Sequence, residues 1–363
     1  YYKDLLNAIR SSDVERVKKL LKLEELPSGS KLEDLVNRTN SEGFAPLHIA
    51  VRYFDKKIVD ILLEESAMNI NNQDIKNQDV KDETPLFAAA WMGRTEIVRA
   101  LLNKHNIDVN MANSLGATPL YIASHEGYGE IVKLLVEKEG VNLNQRTTGE
   151  KKASPLFAAV AQEKKDIADI LIKAGAELNT TMNGETLLHV AAIEGYHDIV
   201  QLLVEAGVDP NEKSHKGKRD EEIALFAAAH EGHTKVVEVL VKAEGIDLHE
   251  RSHDVKSPLH IAVLQFFKNK EAQEATSEQL CQKYARIVSV LLGTPGFNIS
   301  RETSKSKESL RRFASRVQLD SPIIEELKKG LSGNKGMTDV AKLQRNQTRR
   351  AKQLAASKLL NLT

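Results

Sequence analysis

The chain has 363 residues, 41% of them hydrophobic, and its 51 Lys and Arg balance 51 Asp and Glu to a formal net charge of zero. The single cysteine, Cys281, excludes a framework of intrachain disulfides and suits a reducing compartment. No apolar run reaches the ~18 residues that span a bilayer, and no signal-peptide pattern is found. The composition therefore predicts an intracellular, cytoplasmic protein.

The first predicted element is a pair of short helices within residues 3–40. Its apolar residues recur at the spacing of amphipathic helices. They are Leu5, Leu6, Ala8, Val14, Val17, Leu20 and Leu21. The six-residue phrase that marks every later helix pair is missing here, so we interpret this segment as a degenerate copy of the later pairs.

That phrase recurs seven times between residues 45 and 262. One copy reads Thr84-Pro85-Leu86-Phe87-Ala88-Ala89. The seven copies start at Ala45, Thr84, Thr118, Ser154, Thr186, Ile223 and Ser257. Thr or Ser at the first position predicts a side-chain cap, and Pro at the second fits a first helical turn that does not need its N–H. Each copy therefore predicts the start of a helix.

A second apolar pattern follows the phrase at a fixed distance. In Ile97-Val98-Arg99-Ala100-Leu101-Leu102 the apolar residues form the buried stripe of a second helix. A glycine often separates the two helices, as at Gly93, Gly127, Gly195 and Gly232. Connections such as residues 207–211 then lead to the next phrase, with Gly ending the helix and Asp or Asn ordering the turn.

The phrase resembles the Thr-Pro-Leu-His-x-Ala signature of ankyrin repeats. The resemblance implies an all-α ankyrin-repeat solenoid of about eight repeats over residues 1–300, with residues 3–40 as a degenerate first repeat. It also implies a binding surface for another macromolecule. The irregular spacing and the Asn- and Lys-rich connections are similar to those of ankyrin effectors that intracellular bacteria deliver into host cells, which would place the protein in host cytoplasm.

The last repeat, residues 253–300, has an insertion at 266–283 in place of the short glycine turn. Beyond it, residues 301–363 predict three amphipathic helices, which we interpret as a helical C-terminal extension or cap. This segment is basic, with 15 Lys and Arg against 6 Asp and Glu. Two interpretations of its charge stay open: docking against the acidic repeats, or tethering to nucleic acid or an anionic membrane.

Three sequence patterns bear on catalysis. The segment His230-Glu231-Gly232-His233 has two histidines, but it aligns with the turn His125-Glu126-Gly127-Tyr128 and offers too few metal ligands. Residues 330–336 lack the order of a phosphate-binding loop. Cys281 has no histidine at a recognisable spacing and is interpreted as a spectator thiol. We predict a non-enzymatic protein with no cofactor, metal or small-molecule substrate; an activity within residues 301–363 is the alternative.

The predicted function is a scaffold or adaptor that binds a partner protein through the concave face and finger loops of the repeats. Residues two positions after the Ala-Ala pair should lie on that face, where the only tryptophan, Trp91, falls. Exposed Trp, Tyr and Arg often carry interface energy, on the order of 2 kcal/mol each. The alternative for Trp91 is packing against a neighbouring finger. The predicted partner-binding residues are Phe44, Arg52, Tyr53, Trp91, Met92, Leu115, His125, Glu126, Ile193, Glu194, His230 and Glu231.

Overall fold

A computed structural model describes residues 1–22, 31–73, 82–149, 152–215, 221–252, 256–271 and 277–314. Regular structure in these ranges is helical apart from two strands of two residues each, which confirms the predicted all-α class. None of the described helices has the length and apolar character needed to cross a membrane. The chain divides into two compact units, unit 1 (Tyr1–Asn183) and unit 2 (Gly184–Thr363).

Unit 1 is a stack of helix pairs. Its elements are α1 (Tyr2–Arg10), α2 (Val14–Leu21), α3 (Leu32–Asn37), α4 (Pro46–Arg52), α5 (Lys56–Glu64), α6 (Pro85–Trp91), α7 (Thr95–Leu102), α8 (Pro119–Glu126), α9 (Gly129–Val136), α10 (Pro155–Ala161), α11 (Lys165–Lys173) and β1 (Thr181–Met182). The first helices pack in order, α1 on α4, α4 on α6, α6 on α8 and α8 on α10, and the second helices α2, α5, α7, α9 and α11 do the same. The degenerate first repeat is thus a true helix pair, followed by the short helix α3.

Unit 2 is built in the same way. Its first helices α12, α14, α16 and α18 pack in that order, and the second helices α13, α15 and α17 pack beside them. The elements are β2 (Glu185–Thr186), α12 (Leu187–Glu194), α13 (His197–Glu205), α14 (Ala224–Glu231), α15 (Thr234–Leu240), α16 (Pro258–Glu271), α17 (Ser277–Gly293), a 3-10 turn (Ile299–Arg301) and α18 (Ser304–Ala314).

The recurring phrase starts the first helices as predicted. The side-chain oxygen of Thr84 accepts a hydrogen bond from the N–H of Phe87 at 3.1 Å, with Pro85 in the first turn. The copies that begin with Ala45 and Ile223 have no side-chain cap. The same cap forms at Thr118, Ser154, Thr186 and Ser257.

Asparagine side chains join neighbouring finger loops. The amide oxygen of Asn110 accepts from the N–H of Asn142 at 2.7 Å, and its amide nitrogen donates to the carbonyl of Gly140 at 2.7 Å. Asn211 makes the equivalent pair of bonds in unit 2. These bonds satisfy backbone groups that irregular loops would otherwise leave to water, so they fix the register of one repeat on the next.

The end of unit 2 differs from the sequence expectation in two ways. Residues 266–271, expected to replace the turn, instead extend α16 to Glu271. α18 stacks on α16 as a first helix does, and Thr303 caps the N–H of Ser306 at 3.1 Å, the distance of the cap at Thr84. The structure therefore adds a ninth first helix. The other two helices predicted for the extension, within residues 315–363, lie outside the described residues.

Candidate partner-binding surface

Five large apolar side chains are exposed in the described part of the chain, and all five belong to unit 1. Their exposed fractions are 55% for Tyr53, 52% for Phe54, 42% for Trp91, 52% for Leu115 and 36% for Tyr128. The four aromatic residues lie at or next to the turns between first and second helices; we call them the aromatic edge. Leu115 precedes α8 and so lies in a finger loop at the opposite end of that helix. Large exposed aromatic side chains gathered in one region are typical of interaction surfaces.

Contacts between successive turns make the aromatic edge continuous. The guanidinium carbon of Arg94 lies 4.2 Å from the centre of the Phe54 ring. The Tyr128 ring lies over the next turn, since a Cβ added at Gly93 would be only 2.7 Å from its Cε1 atom. Each turn is thus covered by a side chain from the following repeat, and the edge runs across three helix pairs.

Phe54 holds an unfavourable backbone conformation on this edge. Its φ is +58°, in the left-handed region where a bulky side chain costs on the order of 1–3 kcal/mol. Gly93 and Gly127 occupy the same place in their own turns, with φ of +68° and +98°. Sequence reasoning missed Phe54, although an aromatic residue in the glycine column of the repeats was the signal that marks it.

Arg52 and Phe44, both predicted from sequence, contact each other. The Arg52 guanidinium lies 4.3 Å from the centre of the Phe44 ring and forms an ion pair at 3.0 Å with Glu83, which is only 3% exposed. Both residues are half-buried. Arg52 therefore pairs its charge with the buried carboxylate of Glu83 in the following repeat.

The remaining predicted residues of unit 1 are more polar. Met92 is half-buried and ends α6. His125 lies 3.0 Å from the carboxylate of Glu126 through its Nδ1 atom and stacks on Tyr121, with ring centres 6.3 Å apart. This pair extends the candidate surface by one repeat beyond Trp91 and adds hydrogen-bonding groups to it.

Three of the four predicted residues of unit 2, Ile193, His230 and Glu231, line a shallow groove of about 280 Å³. His230 lies 2.7 Å from Glu231 through its Nδ1 atom, and Glu194 is exposed at the end of α12. Residues that line the groove include Glu185, His189, Ile193, Phe226, His230 and Glu231. The groove combines an apolar floor with carboxylates, so it is a second, more acidic candidate contact.

Residues that could suggest chemistry have structural contacts. His233 contacts the carbonyl oxygen of Ile193 at 2.7 Å through its Nε2 atom. Cys281 is buried, its thiol lies 3.7 Å from the carbonyl of Phe266, and burial raises the pKa of that thiol. A nucleophilic cysteine needs the opposite shift. The described residues contain no group of three or more His, Cys, Asp or Glu that could hold a metal ion.

Comparison with known proteins agrees with the repeat architecture. The family model described as ankyrin repeats in three copies matches residues 68–147 and 139–214. The single ankyrin-repeat model matches residues 42–75 and 220–253.

The chain is also similar to segments of several large curated proteins. Alpha-latrocrustotoxin-Lt1a of Latrodectus tredecimguttatus is 31% identical over 31% of this chain and 8% of its own length. The Neurogenic locus Notch protein of Drosophila melanogaster is 37% identical over 26% of this chain and 3% of its own length. Rabankyrin-5 of Mus musculus is 26% identical over 33% of this chain and 11% of its own length. The chain therefore matches only a small part of each relative.

Solved ankyrin domains have the same fold. The ankyrin repeat domain of Bcl-3 covers 62% of this chain and 93% of its own, with a TM-score of 0.53 and 24% identity. The human ASB11 ankyrin repeat domain covers 67% of this chain and 98% of its own, with a TM-score of 0.51 and 22% identity.

Proposed function

The chain belongs to the ankyrin-repeat family, whose members generally serve as protein–protein interaction modules, and on that premise we propose that it is a non-enzymatic scaffold or adaptor. The partner protein binds the aromatic edge of unit 1. The observation that carries this proposal is that four of the five exposed large apolar side chains in the described residues lie along this edge. Exposed apolar surface of this kind lowers solubility, and a partner protein that covers it removes that surface from water.

The energetics of the edge favour a binding role. Trp and Tyr give interfaces large rigid contacts, and each such residue contributes on the order of 2 kcal/mol when a partner covers it. The left-handed backbone of Phe54 is shared by Ser12 and Glu163 at the same position of their turns, so the backbone alone does not mark a binding residue. The ring of Phe54 is 52% exposed, and we infer from this exposure that it contributes to binding.

Removing the edge is expected to abolish partner recovery. We expect a Tyr53→Ala/Trp91→Ala chain to lose a protein that the intact chain retains in a pull-down from eukaryotic lysate at moderate salt, read by mass spectrometry. The loss follows from removing two anchors worth on the order of 2 kcal/mol each. Circular dichroism checks that both chains are equally folded, which matters because the Trp91 side chain is only 42% exposed.

Leu115→Ala separates the aromatic edge from the finger loops, the other contact that the sequence predicts. Leu115 is as exposed as the edge residues but lies in a finger loop. Retention by this variant together with loss by the double variant supports the edge. Equal recovery by the intact chain and the double variant contradicts it and moves the contact to the fingers or to the groove of unit 2.

Phe54→Gly separates stability from binding. Glycine accepts the left-handed backbone without strain, which offsets the loss of the contact with Arg94, worth about 0.5–1 kcal/mol. We therefore expect the midpoint of urea unfolding to stay within the equivalent of about 1 kcal/mol of the parent, while affinity for the recovered partner falls at least about tenfold. Strong destabilisation would show that the ring supports the fold.

A further inference from the structure

We infer that the segment of the partner that covers the aromatic edge is acidic, with a carboxylate that pairs with Arg94 beside an apolar side chain that packs on Phe54 and Trp91. This rests on the proposed function and names the chemistry of the partner. It follows from the placement of Arg94, from what surrounds its guanidinium, and from the charges nearby.

Arg94 places a cation on the aromatic edge, at the position from which Tyr128 and Lys164 also cover the turn before them. Arg94 is the N-cap residue of α7 and makes no capping bond with its side chain. In the two preceding helix pairs the same position is Asp13 or Asp55, whose carboxylates accept from backbone N–H groups. The Arg94 side chain instead lies over the exposed Phe54 ring at 4.2 Å. The Arg94 side chain is half-buried there, which leaves part of its guanidinium accessible to a planar acceptor.

The Arg94 donors lack an acid partner in the described residues. No described carboxylate forms an ion pair with Arg94, and its Nε atom is buried without a hydrogen-bond acceptor. Arg52, by contrast, has Glu83 at 3.0 Å, and Arg99 has Glu96 at 4.0 Å. A carboxylate that arrives with a partner would therefore pair with the terminal N–H groups of this half-buried guanidinium, through charge-assisted bonds.

Nearby acidic groups are engaged elsewhere. Asp55 accepts from the backbone N–H of Ile58 at 3.1 Å, and Asp60 is paired with Lys56 at 2.6 Å. The edge thus presents a cation among aromatic rings. A single guanidinium matches one carboxylate, whereas nucleic acid requires several cations along its backbone.

The test uses a phage-displayed library of random 12-residue peptides selected on the full chain, with the Tyr53→Ala/Trp91→Ala chain used to remove peptides that bind elsewhere. Selected peptides are expected to carry Asp or Glu within two positions of an aromatic residue or Leu. A synthetic consensus peptide should bind the Arg94→Gln chain at least about tenfold more weakly. Arg99→Gln, which removes an exposed arginine from the same helix, should leave its affinity unchanged.

The peptide itself provides the second arm. Changing its acidic residue to the amide should weaken binding to the parent chain by the same factor and should cause no further loss with Arg94→Gln, as expected for groups that contact each other. Arg94→Lys, which keeps the charge but not the paired donors, should fall between the two chains. It also controls for folding, together with thermal melting of each variant.

Other outcomes overturn the inference in distinguishable ways. Peptides that depend on Tyr53 and Trp91 but lack acidic residues, or that bind Arg94→Gln as well as the parent, reject the acidic partner and leave the proposed surface standing. Failure to select any peptide that depends on Tyr53 and Trp91 rejects both. Displacement of the peptide by a 12-nucleotide single-stranded RNA of random sequence rejects the acidic partner in favour of nucleic acid.

Discussion

Replacing Phe313 by alanine is expected to lower the free energy of opening of α18 by about 3–5 kcal/mol, the usual cost of deleting a fully buried phenylalanine. Phe313 is 0% exposed. Its ring meets that of Phe266 edge to face, with centres 4.8 Å apart. Because α18 contacts the rest of unit 2 mainly through α16, few other contacts can compensate for the loss.

Native-state hydrogen exchange of the amides of α16 and α18 measures this effect directly. In a repeat stack each repeat contacts only its neighbours, so the loss should be confined to the end of the array and leave α12 and α13 protected as before. Lys305→Ala is the control, because it changes an exposed residue of the same helix. Protection of α18 that falls by less than about 1 kcal/mol would contradict its assignment as a ninth first helix.

The sequence predicts the first helices because their start signals are local. The hydroxyl of Thr84 reaches the N–H of a residue three positions later, and Pro85 fits the first turn. Thr303 makes the same cap, but Ser304 follows it in place of proline and no Leu or Ala-Ala pair comes next. The position of α18 in the stack is identified by the contact between Phe313 and Phe266. These two residues are distant in sequence, so sequence reasoning did not find it.

The candidate surface is partly predictable for the same reason. Trp91 lies two positions after its phrase, which places it at the end of a first helix, and the side chain is 42% exposed there. The ion pair of Arg52 with Glu83 joins two repeats, and the position of Arg94 over Phe54 depends on how one turn sits on the next. Aligning the repeats identifies equivalent positions. It does not show which side chains of neighbouring repeats contact each other, because those contacts depend on how the repeats pack.

Acid is expected to weaken the attachment of α18 through Glu302. This carboxylate is 6% exposed and accepts hydrogen bonds from the hydroxyls of Ser257 and Ser306, each at 2.7 Å. Nδ1 of His249 lies 3.2 Å away. It acts as the donor, because Nε2 of that ring accepts from the N–H of Asn298 at 3.0 Å. These bonds join the last finger and the caps of α16 and α18.

The pKa of Glu302 fixes the direction of the pH effect. Burial raises that pKa, but the hydrogen bonds from His249, Ser257 and Ser306 outweigh burial and hold it below its ordinary value of 4.5. A carboxyl whose pKa is lower in the folded state stabilises that state above its unfolded pKa. The contribution is lost as the pH falls from about 4.5 through the folded-state pKa.

Glu302→Gln tests this assignment. At pH 7 the variant should open α18 more easily than the parent by about 1.5–3 kcal/mol, the usual contribution of a hydrogen bond to a charged group. The difference should shrink below pH 4.5, where the parent carboxyl also becomes neutral. Hydrogen exchange of α18, followed at pH 7 and 5, and its resistance to pepsin at pH 3, measure the two limits.

Glu308→Gln is the matched control, because Glu308 is an exposed carboxyl of the same helix and should change opening by less than about 0.5 kcal/mol at every pH. A difference between Glu302→Gln and the parent that persists unchanged at pH 3 would mean that shape rather than charge holds the contact.

Glu83, also buried, stands directly before the cap at Thr84, as Glu302 does before Thr303. Glu83 is paired with an arginine, which stays charged in acid, whereas Glu302 relies mainly on neutral hydroxyls and one histidine. The last repeat should therefore be more sensitive to acid than the repeats of unit 1.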